Sequence, residues 1–405
     1  MSRDDTGRPV RRRTLLSALG VGLTTGCLQL EEPPESGATT GTAERATAEP
    51  DAANTATGTG SETGESSPTA RSTLEPQAAG NVRWRYETEP PIRERPVVAD
   101  GTVYATTVGG EVLALGTDVG TPEWRYETGI DNSNLRHAVA GDHLFVAGAF
   151  ATEAVGLADG RLAWGTASGT KYKPLARDGI AYLGSSTGEA TLRTYDVAAD
   201  ELLWSFTTDG SVRGRPALVD GTLYATAGAH DGDTPAPMYA IDAESGTLQW
   251  ETTFEDRLPS SVVPFDGLLY ITGETGTVAA VEPTDGSVVW QRTIDGVRGA
   301  AGAPDPQFDQ GRLYIADRAL RALAPKTGET LWTYTEDRWF NRPAIADGAL
   351  YATQYDGGGV HVVDPGTGTN RTTFETPLDE PTALAVGPET LICGDRTGDV
   401  VAIWR

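Results

Sequence analysis

Cysteine is scarce: Cys27 and Cys393 are the only two in 405 residues. That is too few for a disulfide framework or a four-ligand zinc site. Lysine is almost missing, at 3 of 32 basic residues, so arginine supplies the positive charge. The four histidines, His137, His143, His230 and His361, fall without metal-ligand spacing, and no metal site is expected from them. Nor is there a membrane-spanning run of about 20 apolar residues; the apolar stretch 14–26 has 13. Long helical periods are lacking as well, because 49 glycines and 25 prolines divide the chain into short pieces. What the sequence has in excess is acid, 57 Asp and Glu against 32 Lys and Arg, for a net charge of −25. Such a surface excludes nucleic acid and anionic lipid as partners of the folded body. The 38% of apolar residues is still enough to build a core.

Charge divides the chain into three segments. Residues 1–27 carry +3, residues 28–80 carry −7, and −21 is left for 81–405. The first segment has the form of an export signal. Arg12-Arg13-Thr14-Leu15-Leu16 opens an apolar stretch that stops at Cys27, and it resembles a twin-arginine signal peptide. Leu23-Thr24-Thr25-Gly26-Cys27 resembles a lipobox, which makes Cys27 the expected site of lipidation. From 31 to 80 there is no Phe, Trp, Tyr, Val or Ile, and Leu74 is the only large aliphatic residue. Such a segment cannot bury enough surface to offset its ordering entropy, so 28–80 reads as a disordered, Thr/Ser/Glu/Pro-rich tether. The expected location is extracytoplasmic, on the outer face of the cytoplasmic membrane through a lipid anchor. Acid-rich, lysine-poor composition also resembles that of proteins from high-salt organisms, and a haloarchaeal source is expected.

An internal repeat fills the rest. Tryptophans stand at 84, 124, 164, 204, 250, 290 and 332, and a further step of 40 reaches Thr372. Ten residues before these positions, Trp84 aside, lies a small or β-branched residue (Ala114, Ala154, Thr194, Ala240, Ala280, Ala322, Val362). Four before lies a turn glycine in most copies, with Asp200 the exception. A period near 40 with β-rich segments predicts one four-stranded propeller blade per repeat. In the fullest copy the strands are 216–219, 223–226, 238–241 and 247–253, each alternating with period two. Asp-Gly pairs at 100, 178, 220, 266 and 347 predict type I′ hairpin turns between first and second strands. The last repeat has strands at 382–386, 390–393 and 400–404 and then ends, with no fourth. Trp84-Arg85-Tyr86-Glu87-Thr88 is identical to the fourth strand Trp124-Arg125-Tyr126-Glu127-Thr128. The expectation is therefore an all-β, eight-bladed propeller over 81–405, closed by the N-terminal strand completing the last blade.

The Ala…Gly…Trp repeat resembles the pyrroloquinoline-quinone (PQQ) repeat of quinoprotein dehydrogenases and BamB-like scaffold lipoproteins. That resemblance implies blade-docking roles for Trp84, Trp124, Trp164, Trp204, Trp250, Trp290 and Trp332. It also implies that an enzyme of the family would carry adjacent cysteines over the quinone, with carboxylate and Asn ligands for calcium. This chain has no Cys-Cys pair, and Cys393 reads as a small buried apolar residue of a second strand. No catalytic residues, no metal and no cofactor are therefore expected, PQQ with calcium being the alternative. Asp231-Gly232-Asp233 lacks the later carboxylate of a calcium loop and reads as a solvated turn.

One cluster stands out in an acidic domain. Just before the first strands lie Arg95, His137, Lys173, Arg215, Ser261, Arg342 and Glu380, with Arg298 near that place in blade six. First strands line a propeller's channel, so these side chains should ring one mouth of it. Two uses are open: an anion-binding funnel, or ion pairs with acids such as Glu94 and Asp337 that hold blades together. The leading expectation is a monomeric, non-catalytic, membrane-anchored scaffold that binds protein partners or an anionic ligand at this mouth. A PQQ-dependent dehydrogenase and an extracytoplasmic solute sensor are the alternatives.

Overall fold

A computed structural model describes residues 80–405 apart from 131–134, 171, 186–189, 229–234, 257–260, 296–305, 358 and 377. The signal residues Arg12 and Arg13, the lipidation site Cys27 and the tether lie outside the described residues, as do Arg298, His230 and Asp231-Gly232-Asp233.

Among the described residues thirty-two strands form eight antiparallel four-stranded sheets. Blades one to seven are meanders of four consecutive strands. Blade one runs Val97–Ala99, Thr102–Thr106, Glu111–Gly116 and Pro122–Glu127. Blade eight takes Ala385–Val386, Thr390–Gly394 and Asp399–Trp404 from the C-terminus and Val82–Glu87 from the N-terminal side. Trp84 stands opposite Ala402 and Tyr86 opposite Val400, so the ring closes with its two terminal strands hydrogen-bonded together. This is the propeller and the closure expected from the repeat. Between blades, first strand touches first strand, as Val97–Ala99 does Arg136–Ala140, and so the first strands encircle the axis.

The core is distributed rather than central. Eight hydrophobic clusters each join two neighbouring blades, one for every seam of the ring. Second and third strands are therefore covered on both faces: Thr102–Thr106 is buried throughout, and so is Thr277–Val281. The period-two alternation expected of every strand appears only in the fourth strands, such as Pro122–Glu127 and Thr330–Thr335, whose other face meets solvent. Small residues at the crowded middle of the third strand, Ala114 or Ala240, let the blades approach.

The hairpin turns follow the expected chemistry. Asp100 and Gly101 have φ of 48° and 82°, and the Asp-Gly pairs at 178, 220, 266 and 347 behave alike. Both central residues of a type I′ turn need positive φ, which Asp tolerates and Gly adopts without penalty. The first strand of blade four departs from expectation. It runs Ser211–Val219 instead of beginning at Pro216, with its register shifted between Arg213 and Ala217. Gly214 takes positive φ there, and Pro216 has no N–H to give, so the pairing skips and resumes. The last repeat's first strand is shorter than expected, at Ala385–Val386.

Candidate functional site

The tryptophans sit at the seams. Trp84 is fully buried, and its indole N–H donates to the Thr117 carbonyl of the next blade at 2.8 Å. Trp124, Trp204, Trp250, Trp290 and Trp332 repeat that bond to the carbonyls of Leu157, Ala243, Pro283, Pro325 and Pro365. Beneath each of these six rings lies the turn glycine of the next blade. At Gly120, φ is +67° and a Cβ would stand 2.6 Å from Trp84 Cδ2. Only a residue without a side chain fits under the indole. Trp164 is the variation. Asp200 takes the glycine's place at φ 54°, and its carboxylate accepts the Trp164 N–H at 3.0 Å. A second aromatic, not singled out from sequence, completes the joint. Tyr224, Tyr270 and Tyr314 donate to the same carbonyls of Pro283, Pro325 and Pro365 at 3.2, 3.3 and 3.2 Å. The signal was present, since tyrosine stands four residues after the turn's first residue at 104, 182, 224, 270, 314 and 351. The seam between blades seven and eight has no such tryptophan; there Gly80 packs against Phe374.

Of the expected mouth residues, Arg95, Lys173, Ser261, Arg342 and Glu380 lie in the connections into the first strands, while Arg215 lies within the strand Ser211–Val219. Arg95, Lys173, Arg215 and Arg342 are half-buried, while Glu380 is exposed. Lys173 and the strand residue Arg136 converge on Glu94, named above as a candidate pairing partner. Its side chain is 8% exposed, with Lys173 Nζ at 2.8 Å and Arg136 also in contact, so blades two and three both reach it. Burial pushes its carboxyl pKa up, but Lys173, Arg136 and His137 outweigh that and bring it down to about 2. Two cations thus face one carboxylate. Asp337, the other acid named as a partner, is exposed and forms no ion pair among the described residues.

His137 does not reach the mouth surface. It lies in the strand Arg136–Ala140, fully buried, with Nδ1 3.0 Å from the Thr106 hydroxyl of blade one. Burial, with Lys173 and Arg136 nearby, outweighs Glu94 and lowers its pKa to about 4, so it is neutral at pH 7. Its neighbour Arg136 points the opposite way, as adjacent strand residues must, and reaches the mouth instead. Farther round, Arg215 N–H donates to Ser261 Oγ at 3.0 Å. Asn341 donates to the Pro381 carbonyl at 2.8 Å. These contacts stitch the entrance from blade to blade.

Among the described residues no three His, Cys, Asp or Glu side chains come together as a metal site. Cys393 is fully buried in Thr390–Gly394, and burial, with Asp395 nearby, pushes its thiol pKa far up. Glu94, a carboxylate buried at the mouth, is committed to Lys173 and Arg136. This donor set does not fit a quinone held with calcium under a cysteine pair.

Comparison with known proteins places the chain. A family described as "Outer membrane protein assembly factor BamB", built on the PQQ repeat, matches residues 72–169, 152–253 and 236–385. The chain belongs to this BamB-like PQQ-repeat family. The BamB of Yersinia pestis is 27% identical over 345 residues, covering 77% of this chain and 84% of that protein. In structure, BamB from Moraxella catarrhalis superposes with a TM-score of 0.60 at 17% identity, covering 78% of this chain and 99% of that one. The quinohemoprotein alcohol dehydrogenase of Comamonas testosteroni gives 0.65 at 13% identity, over 80% of this chain and 76% of that one. The BamB-like fold thus carries both assembly factors and dehydrogenases, and fold likeness does not choose between them.

Proposed function

We infer that this BamB-like protein is a non-catalytic scaffold, held outside the cytoplasmic membrane by a lipid on Cys27 and a flexible tether, that binds protein partners through the mouth-bearing face. Family membership and a relative named as an assembly factor support the scaffold class. The observation that carries the reading is the mouth itself, where Lys173 and Arg136 surround Glu94. Such a cluster locks three blades and gathers cations at the mouth of an acidic domain, which favours an acidic segment of a partner. Among the described residues this cluster contains no nucleophile with an adjacent base.

The dehydrogenase reading has the quinoprotein relatives on its side, among them the quinone-dependent alcohol dehydrogenase subunit of Acetobacter aceti, 28% identical over 269 residues. One experiment separates the two. Purified protein is supplied with PQQ and calcium and assayed for dye-linked alcohol oxidation, in parallel with titration by a poly-glutamate peptide. No turnover, together with peptide binding weakened by Lys173→Ala, is expected; saturable turnover would sink the scaffold assignment. Labelling with radioactive lipid precursor, lost in Cys27→Ser, tests the anchor.

A further inference from the structure

Next to Arg342 and Glu380, and on the far side of the ring's sequence from Glu94, blades six to eight build an exposed aromatic platform on the same face. Trp339, 37% exposed, lies in the connection leading into Ala344–Ala346, and Tyr355, 45% exposed, in the connection after Ala349–Thr353. In an antiparallel meander, connections from fourth strand to next blade and from second to third strand leave at the same end. Both aromatics therefore stand on the mouth-bearing face. The two are fixed to each other, with Tyr355 N–H donating to the Trp339 carbonyl at 2.8 Å. Beneath them Phe340 is buried and bridges Gln354 in antiparallel fashion. Arg338 ties the two connections again by donating to the Asp356 carbonyl.

Each ring carries a guanidinium from a neighbouring blade. Arg318 of blade six lies 5.0 Å over Trp339, and Arg396 of blade eight lies 3.8 Å over Tyr355. Neither arginine forms an ion pair with a carboxylate among the described residues. Stacking holds each guanidinium flat, and its in-plane N–H groups remain to bind a carboxylate in bidentate fashion. Trp, Tyr and Arg are also the side chains that dominate binding at protein interfaces, most of all when already ordered in the free protein.

We propose that Trp339, Tyr355, Arg318 and Arg396 form a docking platform for a polypeptide segment that alternates acidic and aromatic residues. Carboxylates meet the two guanidinium edges, and a flat ring covers the indole. The inference rests on the scaffold reading and adds to it a second contact, distinct from the Glu94 cluster.

The test is fluorescence anisotropy of a fluorescein-labelled octapeptide alternating Glu and Tyr, titrated with the full chain. Saturable binding is expected, weakened at least tenfold by Trp339→Ala and by the Arg318→Glu/Arg396→Glu pair, and weakened by added salt. Leu331→Ala, on an exposed fourth strand, should leave it unchanged. Thermal midpoints establish that each variant is folded; if Trp339→Ala is not, Trp339→Phe with Arg396→Glu replaces it. Equal binding by wild type and platform variants overturns the proposal, as does loss only in Lys173→Ala, which would place the peptide at the mouth. Binding of polygalacturonate at these residues with no peptide binding overturns it in favour of an acidic polysaccharide. PQQ-dependent turnover with peptide binding intact would sink the scaffold reading but not the platform.

Discussion

The Trp84 ring lies directly over the Cα of Gly120, across the seam where the N-terminal strand meets blade one, and a Cβ there would stand 2.6 Å from Trp84 Cδ2. Gly120→Ala should therefore lower stability by about 2–4 kcal/mol, from backbone strain at positive φ together with overpacking. Trp84→Ala should cost about 3–5 kcal/mol through its cavity. Denaturant unfolding of both singles and the double mutant should reveal strong coupling. Additive losses would mean the two residues do not share a joint.

Asp200 combines two roles that the other seams separate. It accepts the Trp164 indole proton and occupies a glycine conformation. Asp200→Gly relieves the φ strain while losing an acceptor, so the change in stability should be within about 0.5 kcal/mol. Asp200→Ala keeps the strain and loses the acceptor, and should cost about 1–2 kcal/mol. Comparable thermal midpoints for the two variants would contradict this account.

Acid should loosen the mouth in two stages. His137 is held neutral, with a folded pKa of about 4 below the usual 6.5, so stability falls as pH drops from 6.5 towards 4 and the unfolded chain takes up the proton. Glu94 is held ionised, with a folded pKa of about 2 below the usual 4.5, so its contribution is complete above pH 4.5 and is lost as pH falls through 2. Both act in the same direction. Thermal midpoints measured across this range should flatten above pH 4.5 in His137→Gln and below it in Glu94→Gln. At pH 7, Glu94→Gln should cost about 2–3 kcal/mol, because it removes the carboxylate shared by two partly buried cations.

Cys393 should be inert in the folded protein. Burial raises its pKa and leaves it 0% exposed. In a Cys27→Ser background, reaction with a maleimide should be slow in buffer and fast in denaturant. Rapid labelling of the native chain would show that the second strand of blade eight opens, and would reopen the case for thiol chemistry.

Removing the closing strand should disrupt the whole ring. Without residues 80–87 the edge of Asp399–Trp404 is bare and the seams on both sides of blade eight lose Trp84 and Val82. The truncated chain should self-associate in size-exclusion chromatography and lose cooperative unfolding. A monomeric, cooperatively folding product would show that a three-stranded eighth blade suffices.

The 40-residue period, the Asp-Gly turns and the duplicated Trp-Arg-Tyr-Glu-Thr motif by themselves determined the blade count, the hairpins and the closing strand, because local turn chemistry and strand spacing repeat in sequence as they do in space. For residues 28–80 and the segment before them composition is the whole of the argument, because 1–79 lie outside the described residues. Only the tertiary structure decided where charges and aromatics meet. Lys173, Arg136 and Glu94 come from three different blades, and Trp339, Tyr355, Arg318 and Arg396 from three others. Which of two adjacent residues, Arg136 or His137, faces the mouth depends on strand register, and a shift of one residue reverses it. A repeat specifies each blade from within, but a site shared between blades exists only once the ring has closed.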